Sequence, residues 1–96
     1  MRAIIKEAGL KPRVIDIENT LEALQQTVGG YIEVLNLNEK TVLICDEEGK
    51  LKDKPYNFDI DFDYIVGTAI FVNTTEEDFT DIDEATEKMI MDLFKE

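Results

Sequence analysis

Carboxylates are the most abundant reactive groups in this 96-residue chain: 22 Asp and Glu, with no histidine to work beside them. Paired carboxylates can do acid–base chemistry. At this density, however, neighbouring acids arise by chance, and glycosidase-type catalysis needs a cleft that so small a domain rarely offers. Without histidine, neither a Ser-His-Asp nor a Cys-His unit can be assembled, nor a zinc site that needs imidazole or several thiolates. The one cysteine, Cys45, closes an apolar run and reads as a small core residue. Asp59, Asp61 and Asp63 alternate like the acids of a calcium loop. Counting from Asp59, the sixth and twelfth positions hold Tyr64 and Ile70, where an EF-hand requires Gly and a bidentate Glu. The reading is a non-catalytic protein with no metal and no cofactor.

Two stretches remain as binding candidates. The first is acidic: Asp59, Asp61 and Asp63 together with Glu76, Glu77 and Asp78. Up to residue 52 the chain carries seven Lys/Arg against nine Asp/Glu; from residue 53 on it carries three against thirteen. A half with net charge −10 disfavours direct nucleic-acid binding, which needs clustered Lys and Arg. It suits docking on a basic protein surface. The second candidate is the mixed segment Asp46, Glu47, Lys50, Lys52, Lys54, Tyr56 and Asn57, with Tyr31 and Thr68 nearby. Lysine charge, ring stacking and amide hydrogen bonds there could hold a small anionic, nucleotide-like ligand between the subunits of a homo-oligomer. Tyr56, Phe58 and Tyr64 read as exposed aromatics serving either partner.

The elements that must position these residues follow from pattern. Arg2–Lys6 and Arg13–Glu18 read as a hairpin across the turn Ala8–Pro12. Asn19 and Glu22 read as a capping box opening a helix whose buried stripe is Leu21, Leu24 and Val28 and whose stop is Gly29-Gly30. Tyr31–Leu37 and Lys40–Cys45 read as a second hairpin. Phe58–Tyr64 alternates with period two and is expected to form a strand with all three aspartates on one face. Val66–Val72 is expected to be a central strand, with Gly67 admitting a close neighbour. Asp83–Phe94 reads as a closing helix with the apolar face Ala85, Met89, Ile90, Leu93 and Phe94. The expectation is one α+β domain over residues 1–96: a mostly antiparallel sheet of about five strands in the order β-β-α-β-β-(β)-β-α, with both helices on one face. A lone cysteine, an early charge in Met1–Lys6 and no apolar run near the ~20 residues of a membrane span point to a cytoplasmic, non-membrane protein.

Several blocks together resemble a known family. They are Met1-Arg2-Ala3-Ile4-Ile5-Lys6-Glu7, Leu21-Glu22-Ala23-Leu24-Gln25, Val28-Gly29-Gly30-Tyr31-Ile32-Glu33, Cys45-Asp46-Glu47-Glu48-Gly49-Lys50-Leu51, Pro55-x-Asn57, Ile65-Val66-Gly67-Thr68 and Glu77-Asp78-Phe79. The pattern is similar to a small domain family of uncharacterised function found in bacteriophages and bacterial mobile elements. Members often carry Arg directly after the Asn of Pro-x-Asn; here that position is Phe58, so an anion-binding role for that arginine does not carry over. The resemblance implies an accessory protein inside a bacterial host, one that binds and inhibits a host defence component or sequesters a nucleotide-like immune signal.

Overall fold

The computed structural model describes residues 1–95. Its elements are β1 (Arg2–Lys6), β2 (Arg13–Asp16), α1 (Leu21–Val28), β3 (Ile32–Asn36), β4 (Thr41–Asp46), β5 (Tyr56–Ile60), β6 (Asp63–Val66), β7 (Ala69–Thr74), β8 (Phe79–Thr80) and α2 (Glu84–Leu93). The main sheet runs β2-β1-β7-β4-β3, every pair antiparallel, with the short β8 also pairing β7. Two sequence-local hairpins, β1–β2 and β3–β4, are joined only through β7. The architecture is α+β, as the sequence pattern indicates.

Alternation along the central strands builds two cores. Ala69 and Phe71 of β7, Leu43 and Cys45 of β4 and Ile4 of β1 face one way and pack with Ile65, Ile82 and Ile90 of α2. Ile70 and Val72, Val42 and Ile44, and Ala3 face the other way and pack with Leu24 and Val28 of α1. The helices therefore cover opposite faces of the sheet, not one face. The continuous burial of β4 and of Ala69–Asn73 requires this, because a strand apolar on both sides must be covered on both sides.

Other expectations shift for local reasons. The Phe58–Tyr64 stretch does not run as one strand. It folds back at Asp61-Phe62, so that Asp59 stands opposite Tyr64 and Ile60 opposite Asp63. The expected Val66–Val72 strand is broken at Gly67, whose φ of 70° turns the chain from β6 into β7. Thr20, not Asn19, caps α1 by accepting from the Ala23 N–H at 3.1 Å; the Asn19 amide instead donates to the Phe79 carbonyl. Leu21 is exposed, while Leu24 and Val28 are buried as the spacing requires. Phe58 is not exposed: its ring stacks on Phe71 and meets Phe94 edge-on at 4.9 Å between centroids.

Helix α2 is also rotated from its expected face. Thr86 and Ile90 are buried and Met91 and Phe94 half-buried, while Ala85, Met89 and Leu93 face outward. Asn73 causes this. Its amide donates to the Thr86 and Thr41 hydroxyls and to the Lys40 carbonyl, and its carbonyl oxygen accepts from the Asp83 N–H at 2.6 Å. Asp83 caps the helix through the Thr86 N–H and pairs with Lys40; these contacts hold its carboxyl at about 2. The polar network fixes Thr86 against the sheet, and the helical period then decides which residues face out. Truncating Asn73 to Ala leaves several buried groups without partners. It should cost about 2 kcal/mol and lower Tm by roughly 10 °C, as read by thermal denaturation followed by circular dichroism.

Candidate functional site

The mixed segment is built around Asp46, the last residue of β4. Its side chain is 0% exposed and accepts from Lys54 Nζ at 2.6 Å, from Lys52 Nζ at 2.9 Å and from the Glu48 N–H at 2.9 Å. Burial works to raise its pKa; the hydrogen bonds from Lys54, Lys52 and Glu48 outweigh burial and hold it at about 2. The two ammonium groups also reach the end of α1. Lys54 donates to the Val28 carbonyl at 2.7 Å and Lys52 to the Gly29 carbonyl at 3.1 Å. Cations at a helix C-terminus satisfy orphan carbonyls and oppose the negative end of the dipole. Close packing here explains the Gly29-Gly30 pair. Gly29 ends the helix with φ of 83°, and a Cβ on Gly30 would lie 2.6 Å from both Asp46 Oδ1 and Lys52 Nζ.

The rest of the segment is similarly engaged. Consecutive tight turns over 47–53 carry Glu47, exposed, whose N–H donates to the Tyr31 carbonyl at 2.8 Å; Tyr31 itself points its ring to solvent. Lys50 pairs with Asp63 and lies 4.1 Å from the Tyr64 ring centroid. Asn57 donates to the carbonyls of Lys6 and Gly67 and accepts from Lys6 Nζ, all at 2.7–2.8 Å, which clamps β5 to the end of β1. Burial lowers the pKa of Lys6, whose ammonium also donates to the Glu7 carbonyl. Thr68 and Lys54 share an open concavity of about 470 Å³ with Gly29, Pro55 and Gly67. The structure thus brings Asp46, Lys52 and Lys54 together as an internal junction and leaves Lys50, Tyr56 and Tyr31 at other places on the surface. Cys45 is buried, and burial followed by the nearby Glu33 carboxylate pushes its thiol up to about 11, far from a reactive thiolate.

The six acids of the other candidate divide between two elements. Asp59, Asp61 and Asp63 are exposed on the β5–β6 hairpin. Glu76, Glu77 and Asp78 occupy the β7–β8 turn, where Thr75 Oγ accepts from the N–H groups of Glu77 and Asp78. Beside the hairpin lies a feature absent from the sequence reading. A groove of about 450 Å³ runs between α2 and β5, with Leu37, Phe58, Ile60, Met89, Leu93 and Phe94 as apolar lining and Asn38, Asp59 and Asp61 as polar lining. Leu93 is 68% exposed and Met89 39%, so the wall contributed by α2 is uncovered apolar surface. The only signal for it in the sequence is the Ala85-Met89-Leu93 spacing, which by itself reads as core. Among the described residues, no cluster of three or more His, Cys, Asp or Glu is placed to hold a metal ion, and no helix is long and apolar enough to cross a membrane.

Comparison with known proteins places this geometry in a family. The model of a domain of unknown function, DUF3846, matches residues 1–95, and the chain belongs to that family. No curated protein and no solved structure matches it.

The junction generates two expectations. Because the folded-state pKa of Asp46 lies below the ordinary 3.8, its stabilisation is complete above that value and is lost as pH falls toward about 2. Acid titration of stability should therefore show a loss in this window that is shallower in Asp46→Asn, where only carboxylates such as Asp83 still contribute. Gly30→Ala should destabilise the fold by about 1–3 kcal/mol, measured by urea denaturation, because the added methyl displaces the Asp46–Lys52 pair.

Proposed function

We propose that this DUF3846 member is a non-catalytic binding protein that captures a segment of a protein partner in the groove between α2 and the β5–β6 hairpin. The observation that carries this reading is the groove itself: exposed Met89 and Leu93 facing Phe58 and Ile60, with the acidic side chains Asp59 and Asp61 in the same lining. Contiguous apolar surface bordered by polar groups is where soluble proteins meet partners. The charge selects a basic partner, since the chain carries −12 overall and, among the described residues, no lysine or arginine lines the groove. The resemblance to proteins of bacteriophages and mobile elements supplies the setting by association. In that setting the partner is a host protein of anti-phage defence in the bacterial cytoplasm, and occupation of its basic segment inhibits it.

The alternative is sequestration of a nucleotide-like signal by a homo-oligomer. It would use the concavity at Thr68, where Lys54 must leave Asp46 and the Val28 carbonyl before it can meet a phosphate. Native mass spectrometry of gently purified protein separates the two: a symmetric oligomer carrying a nucleotide-sized mass would favour sequestration.

Affinity capture from a defence-carrying bacterial host tests the groove. A protein retained by the native chain should be lost at least ~10-fold in both Leu93→Glu and the double variant Asp59→Lys/Asp61→Lys. These positions are exposed, so the fold should survive with Tm changed by only a few degrees, consistent with surface substitutions worth ~0.5 kcal/mol. Equal capture by the native chain and both variants would remove the groove from the mechanism.

A further inference from the structure

The outer face of the β5–β6 hairpin is separate from both the core and the groove floor. Phe58, Ile60 and Ile65 pack inward, which leaves Tyr56 and Tyr64 facing out with ring centroids 6.4 Å apart. They are 57% and 45% exposed. Asp59 stands directly across the hairpin from Tyr64. The nearby Asp59 carboxylate raises the pKa of the Tyr56 hydroxyl. An exposed carboxylate thus stands beside two partly exposed aromatic rings, of which Tyr64 carries the Lys50 ammonium over one face and Tyr56, among the described residues, carries no such cation.

This combination has a chemical preference. Aromatic faces attract cations, and the hairpin already displays the effect: the Lys50 ammonium lies over the Tyr64 ring while pairing with Asp63. An ammonium is a point charge and gains little from ring planarity. A guanidinium is planar, stacks on rings and donates parallel N–H bonds to a carboxylate. Asp59 also contributes to the groove lining, so the tyrosine face and the groove adjoin at that residue.

We infer that the partner segment carries an arginine that stacks on Tyr56 and Tyr64 and pairs with Asp59, next to an apolar side chain seated against Met89 and Leu93. This rests on the groove reading above and supplies the chemistry of what enters it. The preference comes from the rings, so lysine at the same place is a poorer ligand even though its charge is equal.

The test is an NMR titration of the full chain with two short amidated peptides, one alternating arginine with leucine and the other alternating lysine with leucine. The arginine peptide should move the Tyr56 and Tyr64 ring resonances at a half-saturating concentration about three- to tenfold lower than the lysine peptide. Tyr64→Leu should abolish that preference and Tyr64→Phe, which keeps the ring, should retain it. The Leu93 methyl signals should respond to both peptides. Equal response of the tyrosines to the two peptides, or a preference that survives Tyr64→Leu, would overturn the arginine assignment while the Leu93 response still upheld the groove. Tyrosine shifts with silent Leu93 methyls would do the reverse, overturning the groove and upholding the arginine site. Should Tyr64→Leu fail to fold, the comparison of the two peptides on the native chain still decides.

Discussion

A carboxylate removed from water must find donors, and much of this structure answers to that need at Asp46. Two lysines and a backbone N–H surround it. Those lysines arrive from one side of a turn-rich segment and continue on to the last carbonyls of α1. The same lysine that reaches Val28 lies across Gly67, where a Cβ would meet its Cδ at 2.9 Å. Three stretches of chain far apart in sequence (the end of α1, the end of β4 with the turns that follow it, and the β6–β7 corner) meet around one buried charge. Removing any one partner would leave the others desolvated and unpaired, a larger penalty than the pairing itself is worth.

Several of the sequence blocks singled out above take on a structural role in this light. Val28-Gly29-Gly30, Asp46 with the residues after it, Pro55-x-Asn57 and Gly67 all meet at this junction or beside it, and Asn57 extends the arrangement to Lys6 on β1. Their spacing is what it takes to hold the hairpin and α1 on the sheet. In this chain these blocks serve assembly of the fold.

The elements themselves were legible wherever local rules decide them. Two hairpins and the αL stop at Gly29 follow from turn residues, alternation and capping chemistry. What failed was placement that depends on partners remote in sequence. The runs Val42–Cys45 and Ala69–Val72 were unbroken apolar stretches, the pattern of strands covered on both faces, and that signal argued against putting both helices on one side. Along α2 and its flanking residues, two series spaced by four compete: Ala85-Met89-Leu93 and Ile82-Thr86-Ile90-Phe94. Hydrophobicity favours including the first, but in the fold Asn73 satisfies the buried Thr86 hydroxyl, and the Thr86 series is the one that packs. The groove is hidden for the same reason: Met89 and Leu93 fit an apolar core face in sequence, whereas in the fold they line its uncovered wall. Likewise the reversal at Asp61-Phe62 is masked in the sequence: Asp61 is a turn former, but inside a period-two run it reads as one more residue on the polar face of a strand.

The position of β7 has a consequence for how the chain comes to be folded. It is the seventh strand in sequence and the middle strand in space, the one partner common to both N-terminal hairpins. While the chain is being synthesised, β1–β2 and β3–β4 can each close locally, but neither can join the other until residue 74 is available. Until then the inner edges of β1 and β4 stay unpaired, and the apolar residues on both sides of each hairpin remain in water. Contacts between ends of the chain make such topologies slow to form and vulnerable to association while they wait. The nascent protein's exposure to aggregation is therefore set by the time a ribosome takes to travel from β4 to the end of β7.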